Sequence, residues 1–460
     1  MRRILFVIIA LFIIFISYNV RDDREKSKKE NNQVEKKKEQ VTPSWIEITE
    51  YPSLQEAIND AKEKGKNVYL NERIIYVSSD IIIPSNVKVF GGTIKFLNQS
   101  SIILKGNKPS MYNVTIDSQV YGIRTRGIIE LVNTEGANLK SIKILGDNDA
   151  TAILCKTRAK TTYIEDIDIS GKIAWGLLFN DAESEQGKGY RTVQGIDYSV
   201  EGLGSGLYID NFKFGNVKST RNGDGIEINA PDYGFDDIVI KDVLVRKANR
   251  ANDASSNGIG LGFANCMNVK LEDLKVYNTG HDAIHFEKGK NHLIKNFYVK
   301  NSYRTIGISH TEHSLFQKGL SFDSDIWIAS YNRLSQKPLE NVTFEDITFD
   351  GAKEYGILLS NAKNINFKKI TLKNYNGSAT TPIIQFYDAG KGSVFNSKLT
   401  EIKIIKANGR LMSSSIIGIL KGSINNRLSN IVFDGYDIHS ISVDKSLNQL
   451  NELNESNGTK

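Results

Sequence analysis

The sequence predicts an all-β chain wound as a parallel β-helix solenoid, with an N-terminal capping α-helix over its first coil. Three observations carry that prediction. Past the N-terminal region, apolar residues fall in short runs or alternate at period two, as in Ile81-Ile82-Ile83, Val87-Lys88-Val89 and Thr93-Ile94-Lys95-Phe96, bounded by Gly, Asn or Ser. A unit of two short strands about a polar corner recurs at residues 269–276, 342–349 and 365–372, with weaker copies at 164–169, 238–245 and 293–299. Leu271 to Ile294 and Phe344 to Phe367 are both 23 residues, a period at which one unit cannot bury its apolar face alone and must stack on the next.

Arg2 and Arg3 precede thirteen unbroken apolar residues from Ile4 to Ile16. That is the layout of a signal peptide or, with no small-residue cleavage site following, of a short membrane anchor over residues 1–20. Residues 21–43 read as a charged flexible linker. Between Arg21 and Gln40, eight basic and six acidic residues surround one aliphatic, Val34, too little apolar surface to offset the entropy of ordering. The domain is therefore expected to be extracellular, secreted or tethered, touching membrane only through its N-terminal segment.

Ser53-Leu54-Gln55-Glu56 is a capping box, after which Leu54, Ala57, Ile58 and Ala61 share one helical face and Gly65 ends the helix. Its expected place is over the exposed edge of the first coil. The β-helix domain spans residues 44–440, and residues 441–460, with Leu447, Leu450 and Leu453, form a C-terminal cap or tail.

Hydrophobic residues make up 40% of the 460, with 37 glycines, which is enough for a full core and excludes a disordered chain. Only 7 prolines occur, so the many turns fall to Asn and Gly. Four of the six formal positive charges lie before residue 41. A nucleic-acid binder concentrates basic charge on its folded part, so nucleic acid is not an expected partner. Cys155 and Cys266 stand 111 residues apart with no metal-site spacing and read as two small buried apolar residues. No acidic cluster has the form of a Ca²⁺ loop, and neither a metal nor a cofactor is expected.

The layout from the Ser53 cap to about residue 440 resembles the pectin-lyase-like right-handed β-helix superfamily. Within it, Asn222-Gly223-Asp224-Gly225-Ile226 is similar to the N-T-D-G segment of family 28 glycoside hydrolases, the polygalacturonase type. Gly280-His281 resembles their G-H-G, and Arg304 with Ile306 resembles their R-I-K. The family's paired aspartates belong to the coil between, where this chain has Asn257-Gly258, so the catalytic motif is incomplete. The resemblance implies a right-handed coil and a long-chain carbohydrate substrate in an outer groove. Hydrolysis, β-elimination and epimerisation all occur among relatives.

Corresponding residues of successive coils stack about 4.8 Å apart, so aligned coils give spatial columns. Taking Ile153, Leu177, Leu207, Ile226, Ile259, Ile284 and Ile306 as one inward column, with steps of 19 to 33 residues, fixes the outward ones by strand alternation. One then holds Glu227, Gly260, His285 and Gly307, the next Asn229, Gly262, Glu287 and Ser309. A corner column holds Asp224, Asn257, Asp282 and Arg304. Asp166, Asp242, Asp273, Asn296 and Asp346 recur in every coil and read as turn formers. Glu227, His285 and Glu287 break the pattern, flanking a trough floored by Gly260 and Gly262.

The expected catalytic residues are Asp224 and Asp282, two coils or about 10 Å apart, near the separation that leaves room for a water in inverting glycosidases. Glu227 and Glu287 are reserves, and His281 or His285 tunes or transfers a proton. Arg221, Asn222, Asn257, Lys288 and Arg304 surround the trough as substrate-binding candidates, suited to uronate or phosphate groups. Three functions fit: a hydrolase acting on an anionic polysaccharide with two carboxylates, a polysaccharide lyase using His285 as base with Arg304 neutralising a uronate, or a non-catalytic binder of cell-wall glycan. The pattern leaves the oligomeric state open.

Overall fold

A computed structural model describes residues 45–155, 158–180, 192–193, 196–197, 204–219, 223–230, 234–247, 258–330, 337–377, 381–386, 392–406, 416–419, 423–435, 441–443 and 448–456. The expected N-terminal signal or anchor and the charged linker lie outside these. No helix among the described residues is long and apolar enough to cross a membrane.

The capping box forms the helix it predicts. Ser53 Oγ accepts the Glu56 N–H at 3.2 Å, the helix Leu54–Glu63 follows, and Leu54, Ala57, Ile58 and Ala61 are its buried face. Gly65 ends it in the left-handed region at φ +61°. Strand Ile81–Ile83 pairs with Ile102–Asn107 on one side, and Gln55 of the helix meets its other edge. The Gln55 amide accepts Ile82 N–H at 2.7 Å and donates to Ile82 C=O at 3.2 Å. A side chain thus stands in for the missing neighbour strand and blocks that edge.

From there the chain is a parallel β-helix. Its ladders run coil on coil, and the 23-residue repeat is real register: Leu271 pairs with Ile294 and Phe344 with Phe367. Asp166, Asp242, Asp273, Asn296 and Asp346 share one corner, where φ is +54°, +46°, +59°, +54° and +57°. Asp and Asn tolerate this left-handed conformation best among residues with a Cβ. Lys318 and Lys369 occupy the same corner at φ +57° and +54°, so ladder geometry imposes the turn even where the side chain does not favour it. Inside, stacked aromatic rings repeat at coil spacing, with centroids 5.1 Å apart for Phe316–Phe344 and 4.9 Å for Phe344–Phe367. Cys155 and Cys266 are free and buried, as expected.

Two readings change. The ladder does not stop at residue 440, because Gln449–Ser456 pairs with Arg427–Asp434 and seats Leu450 on Leu428 and Leu453 on Ile431. Those leucines form part of a further coil, while Leu447 lies outside the described residues. The predicted inward column also contains two strangers. The true series is Ile153, Leu177, Ile226, Leu261, Ile284, Ile306, whereas Leu207 pairs with Thr162 and Ile238 in another ladder, and Ile259 lies two residues before its supposed place. A slip of two keeps every side chain on its predicted face, so the pattern alone does not reveal it.

Candidate functional site

With the register corrected, the first outward column reads Leu178, Glu227, Gly262, His285, Gly307. The next reads Asn229, Ala264, Glu287, Ser309. The corner column places Ile259 between Asp224 and Asp282, with Arg304 following. Gly260 is therefore not part of a trough. A Cβ added there would come within 2.5 Å of buried Val276 Cγ1 and 2.4 Å of Ala283 O, so the glycine permits tight coil packing. Gly262 does separate Glu227 from His285, and its open side is bordered by Ile259, whose Cγ2 lies 3.3 Å from an added Cβ.

Asp282 is fully buried. Its Oδ2 lies 2.6 Å from His285 Nδ1, its Oδ1 takes the Arg304 Nε–H, and His281 Nδ1 lies 3.5 Å from Oδ1. Burial alone would raise its pKa, but the Arg304 guanidinium and the two histidines override that and hold the carboxyl well below the usual range. Gly307 makes room for this arrangement, since a Cβ there would fall 1.8 Å from Asp282 Oδ2. His285 is only partly buried. With Nδ1 engaged by an ionised carboxylate, its Nε2 is the nitrogen left for proton transfer.

The ligand atoms of His281, Asp282 and His285 lie within 4.8 Å of one another, close enough to hold a metal ion. Arg304 fills that role already, with Nη2 at 2.7 Å from His281 Nε2 and Nε on Asp282. A guanidinium bonded to two of three donors opposes a second cation, and the residues present do not fit a metal.

Asp224 is 2% exposed, and its Oδ1 accepts the N–H groups of Gly258 and Ile259 at 2.7 and 2.8 Å. Burial, and then the charge of Glu227, raise its pKa well above the usual range against those two N–H groups and Lys247. Glu227 is partly buried and receives the indole N–H of Trp175 at Oε2, 3.0 Å. Lys247, buried at the end of strand Phe235–Arg246, donates to the carbonyls of Ala174 and Gly223. It thereby ties together the turns that present Trp175 and Asp224. Its ammonium lies 5.1 Å from the Phe214 ring centroid, and burial lowers its pKa to about 8 against the pull of Asp224.

The fold thus gathers Asp224, Glu227, His281, Asp282, His285 and Arg304. Glu287 is half-buried one column away, and Lys288 is exposed just beyond it. Arg221, Asn222 and Asn257 lie outside the described residues. Sequence reading missed Trp175 and Lys247. Extending the corner column one coil back would have found Trp175, which pairs in line with Asp224, whereas nothing local marks Lys247.

No family model matches the chain, and no curated protein matches it. Solved structures similar to it include the tailspike protein from Dettilon (12% identity over 88% of this chain and 68% of that one, TM-score 0.46). Others are the DFA-IIIase of Arthrobacter chlorophenolicus A6 (10%, 89% and 99%, TM-score 0.45) and the family 28 exopolygalacturonase of Yersinia enterocolitica (14%, 89% and 78%, TM-score 0.44).

Proposed function

We propose that this protein is an exported glycoside hydrolase acting on an anionic polysaccharide, with proton transfer by Glu227 and His285. The observation that carries this reading is a repeated pattern. In Asp224-Gly-Ile-Glu227 and in Asp282-Ala-Ile-His285 a buried aspartate stands three residues before a partly exposed titratable group. The two exposed groups share one column with Gly262 between them. Two coils separate them by about 10 Å, room for a glycosidic oxygen and a water. The aspartates first expected to act directly are enclosed, so they serve by positioning.

In this reading Glu227, held by the Trp175 indole, removes a proton from water, and His285 gives a proton to the leaving oxygen. The ionised Asp282 keeps His285 in its productive tautomer and offsets the imidazolium charge. Arg304 keeps Asp282 ionised. A second reading, β-elimination with neutral His285 as base, draws on the presence of one carboxylate rather than two in the column. Incubating the protein with acidic polysaccharides while recording new reducing ends and ultraviolet absorbance separates them. Hydrolysis gives reducing ends alone, elimination gives absorbing ends, and neither product overturns both readings.

A further inference from the structure

Elsewhere on the solenoid, cations are matched to acids of the neighbouring coil. On the outer face of the strand segment before the left-handed corner, Lys140 meets Glu165 at 2.7 Å, Lys241 meets Glu272 at 4.0 Å and Lys368 meets Glu345 at 3.0 Å. The segment after that corner is different. Its two outward columns run Leu244, Lys275, Tyr298, Leu320 and Arg246, Tyr277, Lys300, Phe322. Across these four coils neither column holds an acid; the first is Asp350, one coil beyond Phe322. Cations and apolar groups alternate between the columns, so three coils present one of each side by side. Tyr277 and Tyr298 lie 5.6 Å apart, Tyr298 and Phe322 5.5 Å, and Arg246 sits 4.7 Å from the Tyr277 centroid. Arg246, Lys275, Lys300 and Leu320 are exposed.

We infer that this checkerboard is a second binding surface, separate from the proton-transfer site, for an anionic polysaccharide lying along the solenoid axis. The inference rests on the anionic-glycan reading above but not on any reaction. Charge complementarity names the occupant: an acid-free zigzag of cations, Arg246, Lys275 and Lys300, advancing about 4.8 Å along the axis per coil, matches a polymer bearing one carboxylate or sulfate per sugar or every second sugar. The interleaved rings and Leu320 suit the C–H faces of pyranoses, whereas a surface for charge alone would not require them. In two of these coils the ladder ends four residues before the site, at Tyr277 against His281 and Lys300 against Arg304, so one long chain can reach both.

The test measures binding of the full chain, carrying Glu227→Gln to stop turnover, to polygalacturonate, alginate, hyaluronate and neutral dextran by affinity electrophoresis at several salt concentrations. Lys275→Ala with Lys300→Ala should weaken binding to an acidic polymer at least tenfold and flatten its salt dependence, and Tyr298→Ala should weaken it even at high salt. Lys140→Ala with Lys368→Ala, on the neighbouring face, should change nothing. Unaltered binding in the ladder variants, no binding of any acidic polymer, or equally tight binding of anionic vesicles or single-stranded DNA overturns the inference. Polymer binding through the ladder without cleavage of any polymer sinks the hydrolase reading alone. Cleavage of long chains unaffected by ladder variants sinks the ladder alone.

Discussion

At Gly307 one hydrogen atom decides whether the site can exist. A methyl group there would collide with Asp282 Oδ2, so Gly307→Ala should displace the carboxylate, free the His285 ring and lower kcat while leaving the fold intact by circular dichroism. Glu227→Gln and His285→Gln should each cost the 10²- to 10⁴-fold typical of acid–base catalysis with little change in melting temperature. Asp282→Asn should behave differently. It leaves buried Arg304 without its counter-charge, so about 3 kcal/mol or more of stability should go with the activity. His292 offers a residue-scale test free of the reaction. It is buried, stacked 4.4 Å from Phe286, with neither ring nitrogen hydrogen-bonded, and burial lowers its pKa from 6.5 to about 3. The folded pKa lies below the unfolded one, so stability is complete above pH 6.5 and drains away as pH falls towards 3, by about 2 kcal/mol at pH 5. His292→Phe should raise the melting temperature at pH 5 more than at pH 8; an equal rise at both would contradict the assignment.

At the scale of elements, the N-terminal helix works as an edge cover, and Gln55 is the contact that makes it one. Gln55→Ala removes both bonds to Ile82 at a cost of about 1 kcal/mol each, and amide exchange should accelerate first in Ile81–Ile83 while later coils keep their protection. The corner column makes a second prediction. Asp273 holds φ +59°, so Asp273→Val should cost about 1–2 kcal/mol in denaturant unfolding, whereas Asp273→Gly should be nearly neutral because the lost side chain is offset by relief of the left-handed strain. Turnover should be unchanged in both, since that corner lies on another ladder from Glu227 and His285.

For the whole molecule, the solenoid was legible because its causes are local and repeated: period-two strands, a corner Asp or Asn in many coils and a capping box at one end. That Asp224, Glu227, His281, Asp282, His285 and Arg304 lie near one another was legible, but their alignment was not. Column counting assumes even coils. The step from Ile226 to Leu261 is 35 residues against 23 from Leu261 to Ile284, and Ile259 and Leu261 are both apolar with the same parity, so the pattern alone puts Gly260 where Gly262 stands. Roles were harder still, because burial is a property of neighbouring coils. Nothing within Asp224-Gly225-Ile226-Glu227 announces that the aspartate is enclosed and the glutamate is not. Lys247 was invisible for the same reason, since its partners Ala174 and Gly223 lie 73 and 24 residues away.

The coil register has a mechanical consequence. Backbone ladder bonds run along the solenoid axis, so tension applied at the two ends of the chain does not load the whole sheet together but peels one coil from its neighbour. Where Leu271 sits on Ile294, a coil is 23 residues, and freeing it converts a rise of about 4.8 Å into a contour of about 78 Å at roughly 3.4 Å per residue. An optical trap should therefore record a sawtooth with steps near 70 Å, longer where turns are long, rather than one rupture. A chain tethered to a surface at its N-terminus and gripping a polymer along its flank would, under load, yield length in small instalments before its grip failed.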